Sequence, residues 1–381
     1  MSKNIEAKAY CGDPDRARRI CERLGARFVR RHRQRDTYFV VPHGRLKLRE
    51  SDRLDPMLIH YDRLDMPAIR ESSFTLVKLS PPVDELRNVL SKALGVRIVT
   101  DKQRDTYLME GALVNLDTIA GLGEFLEIEV QVEGLGCEAR AREHAGRLKR
   151  EFEVEENDLI PWSYADLLAM YRQARMWRKR LAQTAGAGHL FLVDGPSGAG
   201  KTTASEALWR DSALRLKFVR RHCTRRPRSE QENEYVFVSP DKFRSMAACG
   251  DFLDFRDFEF GMSYGLAWKD ALEPLLAGQN AVAIMNWGNA RHIRRAFPEA
   301  RLILSIASVE TLRRRLVARG IHDDAQLAER LENAQRFSRN SSDYDLLVQN
   351  EDGRLDAAVE EIKQYVLANS AKVEASPYAR R

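Results

Sequence analysis

Two kinds of hydrophobic periodicity divide the chain. Up to about residue 178, apolar and polar positions alternate in short runs: NIEAKAY (4–10), GRLKLRE (44–50), ALVNLDT (112–118) and FLEIEVQ (125–131). Strict alternation predicts strands with one apolar and one polar face. From residue 189 the pattern changes, and LFLV (190–193) is an unbroken apolar run of the kind that a strand covered on both faces requires. Between them YRQARMWRKRLAQ (171–183) reads as a basic helix and TAGAG (184–188) as a breaker. We therefore expect a first domain at 1–178, a linker at 179–188, a second domain at 189–371 and a frayed polar tail at 372–381.

The first region contains an echo. QRDTY occurs at 34–38 and again at 103–107. Before the first copy, Asp13, Pro14 and Gly25 suit the cap, first turn and end of a helix, and before the second copy Ser80, Pro81 and Gly95 take the same roles. The spacing predicts a duplicated unit of helix, strand, turn and strand.

The strands downstream of the two copies differ in charge. GRLKLRE places Arg45, Lys47 and Arg49 on one strand face, whereas ALVNLDT offers Asp117. Glu6 shares a face with Lys8, Lys102 with Arg104, and Glu127 with Glu129 and Gln131. For any one strand, a charged face in water is the ordinary explanation. As a set, clustered cations on some strands and paired carboxylates on others can line a closed barrel around a polyphosphate and its metal ions. The charge balance, 62 Lys plus Arg against 56 Asp plus Glu, agrees with anionic partners.

NIEAKA, QRDTYF with GRLKLRE, LIHYDR (58–63) and above all LDTIAGLGEFLEIE (116–129) resemble the CYTH family, named for class IV adenylyl cyclase and thiamine triphosphatase. That resemblance implies an antiparallel eight-stranded tunnel with Mg²⁺ or Mn²⁺ on carboxylates. Carried over by motif, Glu6, Glu127 and Glu129 would hold metal, with Asp117 nearby. Lys8, Arg45, Lys47, Arg49, Arg63, Lys78, Lys102 and Arg104 would grip phosphates. The family's ExExK signature is departed from at Asn4, an amide where the first carboxylate would stand. Two reactions fit: hydrolysis of a nucleoside or inorganic triphosphate, placed slightly ahead, and cyclisation of a nucleoside triphosphate. A non-catalytic sensor is a third reading.

The second region opens with LFLVDGPSGAGKTT (190–203), a strand running into a Gly-x-x-x-x-Gly-Lys-Thr loop. Gly195, Ser197, Gly198 and Gly200 let backbone N–H groups approach phosphate, Lys201 reaches the outer phosphates, Thr202 can ligate Mg²⁺, and Thr203 follows. A parallel sheet flanked by helices that binds ATP is the expected fold. The remainder is similar to guanylate kinase-like P-loop kinases, including ribose 1,5-bisphosphate phosphokinase, through CTRRPRSEQENEYVFVS (223–239), FLDF, SYGLAW, RRRLVARG with AERL, and YDLLVQNED. The likeness implies that Arg225, Arg228, Tyr235 and Tyr264 bind the acceptor's phosphate, while Arg315, Arg319 and Arg330 serve the transferring group. Base reading is where this chain departs. Arg221 stands where a hydroxyl residue helps read guanine, Leu266 takes a second reading position, and Asp254 keeps the place of the guanine-reading carboxylate. Arg221, together with Asn286, suits a phosphorylated sugar or an unusual nucleotide better than GMP.

Five cysteines without CxxC spacing and the lack of a long apolar span predict a reduced cytoplasmic protein without a membrane segment. The eight histidines form no ligand pattern. Trp162, Tyr164 and Leu167 recur at helical spacing and read as a helix packed on the barrel. RRHRQR (30–35) is the only distinctive support for an RNA end as substrate, and a solvated edge is its plainer reading. The sequence does not specify an oligomeric state.

Overall fold

The computed structural model describes residues 2–62, 65, 68–132, 137–227, 232, 235–258, 261–285, 289–320 and 323–370. Two compact units form, one from 1–171 with 247–250 and 256–262, the other from 172–246, 251–255 and 263–381.

In chain order the first unit begins with β1 (Ser2–Tyr10), α1 (Pro14–Arg23), β2 (Arg27–Phe39), β3 (Arg45–Ser51), β4 (Met57–Asp62) and β5 (Arg70–Lys78). It continues with α2 (Asp84–Leu94), β6 (Val96–Met109), β7 (Ala112–Ile119), β8 (Gly123–Gln131) and α3 (Glu138–Glu151). Helix α4 (Tyr164–Ala182) comes next and crosses into the second unit. The eight strands close into an antiparallel barrel in the order β1-β5-β4-β3-β2-β6-β7-β8.

The period-two pattern sorts residues between the two sides of this wall. Ile5, Ala7, Val114, Leu116, Leu126 and Ile128 pack outward with Ile20 and Cys21 of α1 and Leu148 of α3. Phe39 and Leu48 pack outward against Val83, just before α2. The apolar core thus lies outside the barrel and the charged faces turn inward.

Asp13 caps α1 as expected, its side chain accepting from the Arg16 amide at 2.8 Å. The second copy corrects the sequence reading: α2 begins at Asp84 after Val83, without a side-chain cap, so Ser80 and Pro81 precede the helix rather than start it. The consecutive prolines, Pro81 and Pro82, disfavour helical conformation in the residue before each. The expected linker is also partly helical, because α4 continues to Ala182; the run lacks Gly or Pro until Gly186.

The pentapeptides lie on β2 and β6, which pair with each other antiparallel. Gln34, Asp36 and Tyr38 face the interior, whereas in the second copy Arg104 and Thr106 do so and Tyr107 packs outward. Gln34 lies nine positions after Gly25 but Gln103 only eight after Gly95. A one-residue offset exchanges the faces of a strand.

The second unit contains β9 (Leu190–Asp194), α5 (Lys201–Arg210), β10 (Leu216–Val219), β11 (Arg221–Cys223), β12 (Tyr235–Phe237) and most of α6 (Pro240–Cys249) and of β13 (Phe252–Asp257). Then come β14 (Ser263–Ala267), α7 (Trp268–Leu276), β15 (Asn280–Ile284), α8 (Ala290–Ala296), β16 (Arg301–Ile306), α9 (Val309–Ala318), α10 (Asp324–Arg339), β17 (Leu346–Gln349) and α11 (Leu355–Ser370). A five-stranded parallel sheet, β10-β15-β9-β16-β17, carries β9 at its centre. A smaller sheet, β12-β11-β14-β13, stands apart from it. Among the described residues, no helix is long and apolar enough to cross a membrane.

Candidate functional site

The barrel interior is a lattice of ion pairs. Lys8 Nζ lies 3.0 Å from Glu127, and Arg70 Nε donates to Glu6 at 3.0 Å. Lys47 (2.9 Å) and Arg49 (2.9 and 3.0 Å) converge on Asp36. Arg104 reaches Asp117 through two nitrogens at 2.6 Å each, contacts Glu127, and lies 3.4 Å from Glu129. Lys102 adds a bond to Asp117 at 3.3 Å. Arg45 bonds Asp65 at 2.5 Å and Asp166 at 3.0 Å.

Burial is severe for these charges, and their titration reflects the balance of burial against partners. Burial would raise the carboxyls of Asp36, Asp117 and Glu127, but neighbouring cations hold all three below the usual range. Lys47 is pushed down to about 7 by burial and Arg49, against the pull of Asp36. Lys102 falls to about 8 by burial and the adjoining Arg104. Chemically, a phosphate oxygen can replace the carboxylate that each cation now holds.

The structure brings Glu6, Lys8, Arg45, Lys47, Arg49, Lys102, Arg104, Asp117, Glu127 and Glu129 to the barrel interior. Lys78 is different: it stands exposed at the end of β5. Arg63 lies outside the described residues. Arg70, Asp36, Asp65 and Asp166 were missed by motif, although the alternation from Arg45 to Arg49 and from Gln34 to Tyr38 signals an inward face. Tyr164 was also missed as a site residue. The first turn of α4 enters the interior, where Tyr164 Oη donates to Asp117 at 2.9 Å and its ring lies 4.1 Å from Lys8 Nζ.

Among the described residues no three His, Cys, Asp or Glu side chains converge as a metal-binding group, since guanidinium and ammonium groups hold the tunnel's carboxylates. The donor chemistry nevertheless fits a hard divalent ion. Glu6 and Glu129 are direct cross-strand neighbours, a like-charge pair that a cation between them would relieve. Asn4 is paired with Gln131, so two neutral amides extend this carboxylate pair.

The basic stretch at 30–35 is not a free stripe. His32 and Gln34 are buried, Arg31 bonds Asp105 at 2.5 and 2.7 Å, and Arg35 bonds Asp101 at 2.8 Å.

In the second unit β9 delivers the loop to the start of α5. Gly195, Gly198 and Gly200 have φ of 143°, 90° and 80°, and a Cβ on Gly195 would lie 2.0 Å from the Ser305 carbonyl. Lys201 Nζ donates to the carbonyls of Gly195 (2.6 Å) and Pro196 (2.8 Å), and burial lowers its pKa to about 8. Thr202 is half-buried beside it and Thr203 is exposed. Arg315 donates to the Gly198 carbonyl at 3.0 Å, Arg330 lies 3.4 Å from Ser197 Oγ, and the charge of Arg319 acts on Lys201. Arg315 and Arg330 thus reach the loop from two successive helices. Asp194, not marked by sequence, accepts from the Gly195 amide at 2.8 Å and from Tyr344 Oη at 2.9 Å.

The smaller sheet holds the expected acceptor residues. Arg225 is bound by Glu232 and lies over the rings of Tyr235 (4.9 Å) and Phe237 (5.2 Å), with Tyr264 edge-on to Tyr235. Arg221 and Asp254 are buried 3.6 Å apart. Arg228 and Asn286 lie outside the described residues.

Comparison with known proteins decides the family of this second site. Residues 188–369 match the guanylate kinase family. A guanylate kinase of Alkalilimnicola ehrlichii is 34% identical over 192 residues, covering 49% of this chain and 92% of that protein. The chain belongs to the guanylate kinase family. Its guanylate kinase domain is joined to a CYTH domain, matched over residues 2–164. Among solved structures, guanylate kinase from Anaplasma phagocytophilum aligns with 19% identity and a TM-score of 0.40, covering 51% of this chain and 92% of that one. The PH1012 protein from Pyrococcus horikoshii aligns with 23% identity and a TM-score of 0.39, covering 43% and 97%. The CYTH and guanylate kinase domains together make this a bifunctional phosphate-processing protein.

Proposed function

We propose that the tunnel, taken as residues 1–178, hydrolyses a nucleoside or inorganic triphosphate with Mg²⁺ or Mn²⁺. The kinase domain, taken as residues 189–371, transfers the γ-phosphoryl group of ATP to a phosphorylated sugar or an unusual nucleotide. The observation that carries the first half is the facing set of buried cations, with Lys47 and Arg49 on β3 and Lys8, Lys102 and Arg104 on β1 and β6. In this reading each cation exchanges its carboxylate for a phosphate oxygen, and Glu6, Glu127 and Glu129 would hold the divalent ion. When bound, that ion neutralises charge on the phosphates. Water adds to the terminal phosphorus, the bond from it to the bridging oxygen breaks, the shortened phosphate chain leaves with that electron pair, and orthophosphate is released as the water's proton passes to solvent. A cytoplasmic setting suits both substrates.

In the kinase domain, Lys201 moves from loop carbonyls to the outer phosphates, Thr202 offers its hydroxyl to Mg²⁺, and Arg315, Arg319 and Arg330 neutralise the transferring group. Arg225, Tyr235 and Tyr264 hold the acceptor's phosphate, with Arg228 beside them by motif. Incubation with tripolyphosphate, and separately with ATP plus GMP or ribose 1,5-bisphosphate, tests the pair of reactions. Orthophosphate from the first and a more highly phosphorylated sugar from the second are expected; cyclic nucleotide from ATP would move the tunnel to the cyclase reading.

The facing amides Asn4 and Gln131 favour a second reading, a tunnel that senses triphosphate without turning it over. Asn4→Glu distinguishes them. Metal-dependent hydrolysis in both wild type and variant supports the enzyme, whereas tight tripolyphosphate binding with no turnover in either supports the sensor.

A further inference from the structure

We propose that Arg221 determines acceptor specificity in the kinase domain by occupying Asp254 from within, which closes the pocket's carboxylate to a purine edge and favours an oxyanion-rich sugar phosphate. The inference deepens the acceptor assignment above and rests on it.

Asp254 sits on β13 and is fully buried. Its Oδ1 accepts from Asn289 Nδ2 at 2.6 Å, and its Oδ2 faces Arg221 Nη2 at 3.6 Å. Both oxygens of the carboxylate therefore already face donors that belong to the protein. Guanine presents N–H donors along its pairing edge, and reading them takes acceptors that are open. A short hydroxyl side chain at position 221 would take the guanidinium away from Oδ2, whereas Arg221 faces it with a planar group that only donates.

The same substitution changes what the pocket attracts. Arg221 is in register with Tyr235 on the neighbouring parallel strand, the residue whose ring carries Arg225. Arg221, Asn289 and Arg225 thus add hydrogen-bond donors around the carboxylates of Asp254 and Glu232, and donors suit phosphate and sugar oxygens better than ring N–H groups. Burial lowers the pKa of Arg221 while Asp254 opposes the shift, as expected for a cation retained by its buried partner.

The test is a comparison of kcat/KM for ribose 1,5-bisphosphate and for GMP, with ATP and the full-length chain, in wild type and Arg221→Ser. Wild type is expected to favour the sugar, and Arg221→Ser to shift the ratio toward GMP by about a hundredfold, with the GMP value itself rising. An unchanged ratio in a folded Arg221→Ser protein overturns the role of Arg221 while leaving the sugar assignment intact. Wild type that prefers GMP, or uses neither acceptor, overturns the assignment and the inference with it. Because Arg221→Ser strands a buried carboxylate, the charge-neutral pair Arg221→Gln with Asp254→Asn provides the second reading. It too is expected to lose discrimination, and a ratio equal to that of wild type in this variant counts against the proposal.

Discussion

In the proposed function, the tunnel and the phosphate loop meet the same chemical group by opposite means. In the barrel, side chains from several strands do the work, and each cation is held by a carboxylate such as Asp36, Asp117 or Glu127. In the kinase domain the backbone does much of it, through glycines at positive φ and the N-terminus of α5. The first site is a distributed charge balance and the second a local conformation. Damage to the tunnel should therefore spread through its ion pairs, whereas damage to the loop should remain local.

The largest expected effect tests the local site. Lys201→Ala should lower kinase turnover by about three orders of magnitude while tripolyphosphate hydrolysis is unchanged, as ADP formation with ATP plus acceptor and phosphate release from tripolyphosphate would record. Arg104→Met tests the distributed one. It removes the common partner of Asp117, Glu127 and Glu129 and should destabilise the barrel by about 3–5 kcal/mol, read by chemical denaturation with barrel-specific fluorescence. A cost near zero would mean that the lattice is not cooperative. Gly195→Ala should weaken ATP binding by about ten- to a hundredfold, because its Cβ meets the Ser305 carbonyl and its φ strains any other residue, costing about 1–3 kcal/mol. Calorimetry on the variant checks this, and the barrel's denaturation midpoint should not move.

The smallest effect is a pH dependence. Lys47 has a folded pKa of about 7, below its ordinary value of 10.5. Above pH 7 it loses its charge, so tripolyphosphate affinity should fall by up to about tenfold per pH unit, and Lys47→Arg should flatten that slope. The stability effect has the opposite sign. Between about 7 and 10.5 the unfolded chain binds the proton and the folded chain does not, so the Lys47 contribution to stability improves as pH rises through that window.

The same contrast governs how far each site could be read from sequence. The phosphate loop is contiguous, so strand, glycines, lysine and helix were all visible in LFLVDGPSGAGKTT. The alternation at Arg45, Lys47 and Arg49 showed an inward face, and the closed barrel gave that face its meaning. Arg70 and Asp166 were not visible because their roles depend on neighbours distant in sequence: Arg70 on β5 meets Glu6 on the adjacent β1, and Asp166 meets Arg45 from the first turn of α4. QRDTY marked the two strands that pair, β2 and β6, but not that its copies face opposite ways, since a single residue of spacing sets the phase. Likewise Arg221 reads in sequence as an extra cation for substrate, and only the fold shows that it faces Asp254.

In the proposed function, one chain carries two separate phosphate sites. The most direct test of this is product analysis of wild type, Glu127→Gln and Lys201→Ala with tripolyphosphate, and with ATP plus an acceptor. Glu127→Gln should lose only tripolyphosphate hydrolysis and Lys201→Ala only phosphoryl transfer. Loss of both reactions in Lys201→Ala, with Glu127→Gln indistinguishable from wild type, would place all the chemistry at the phosphate loop and contradict the account.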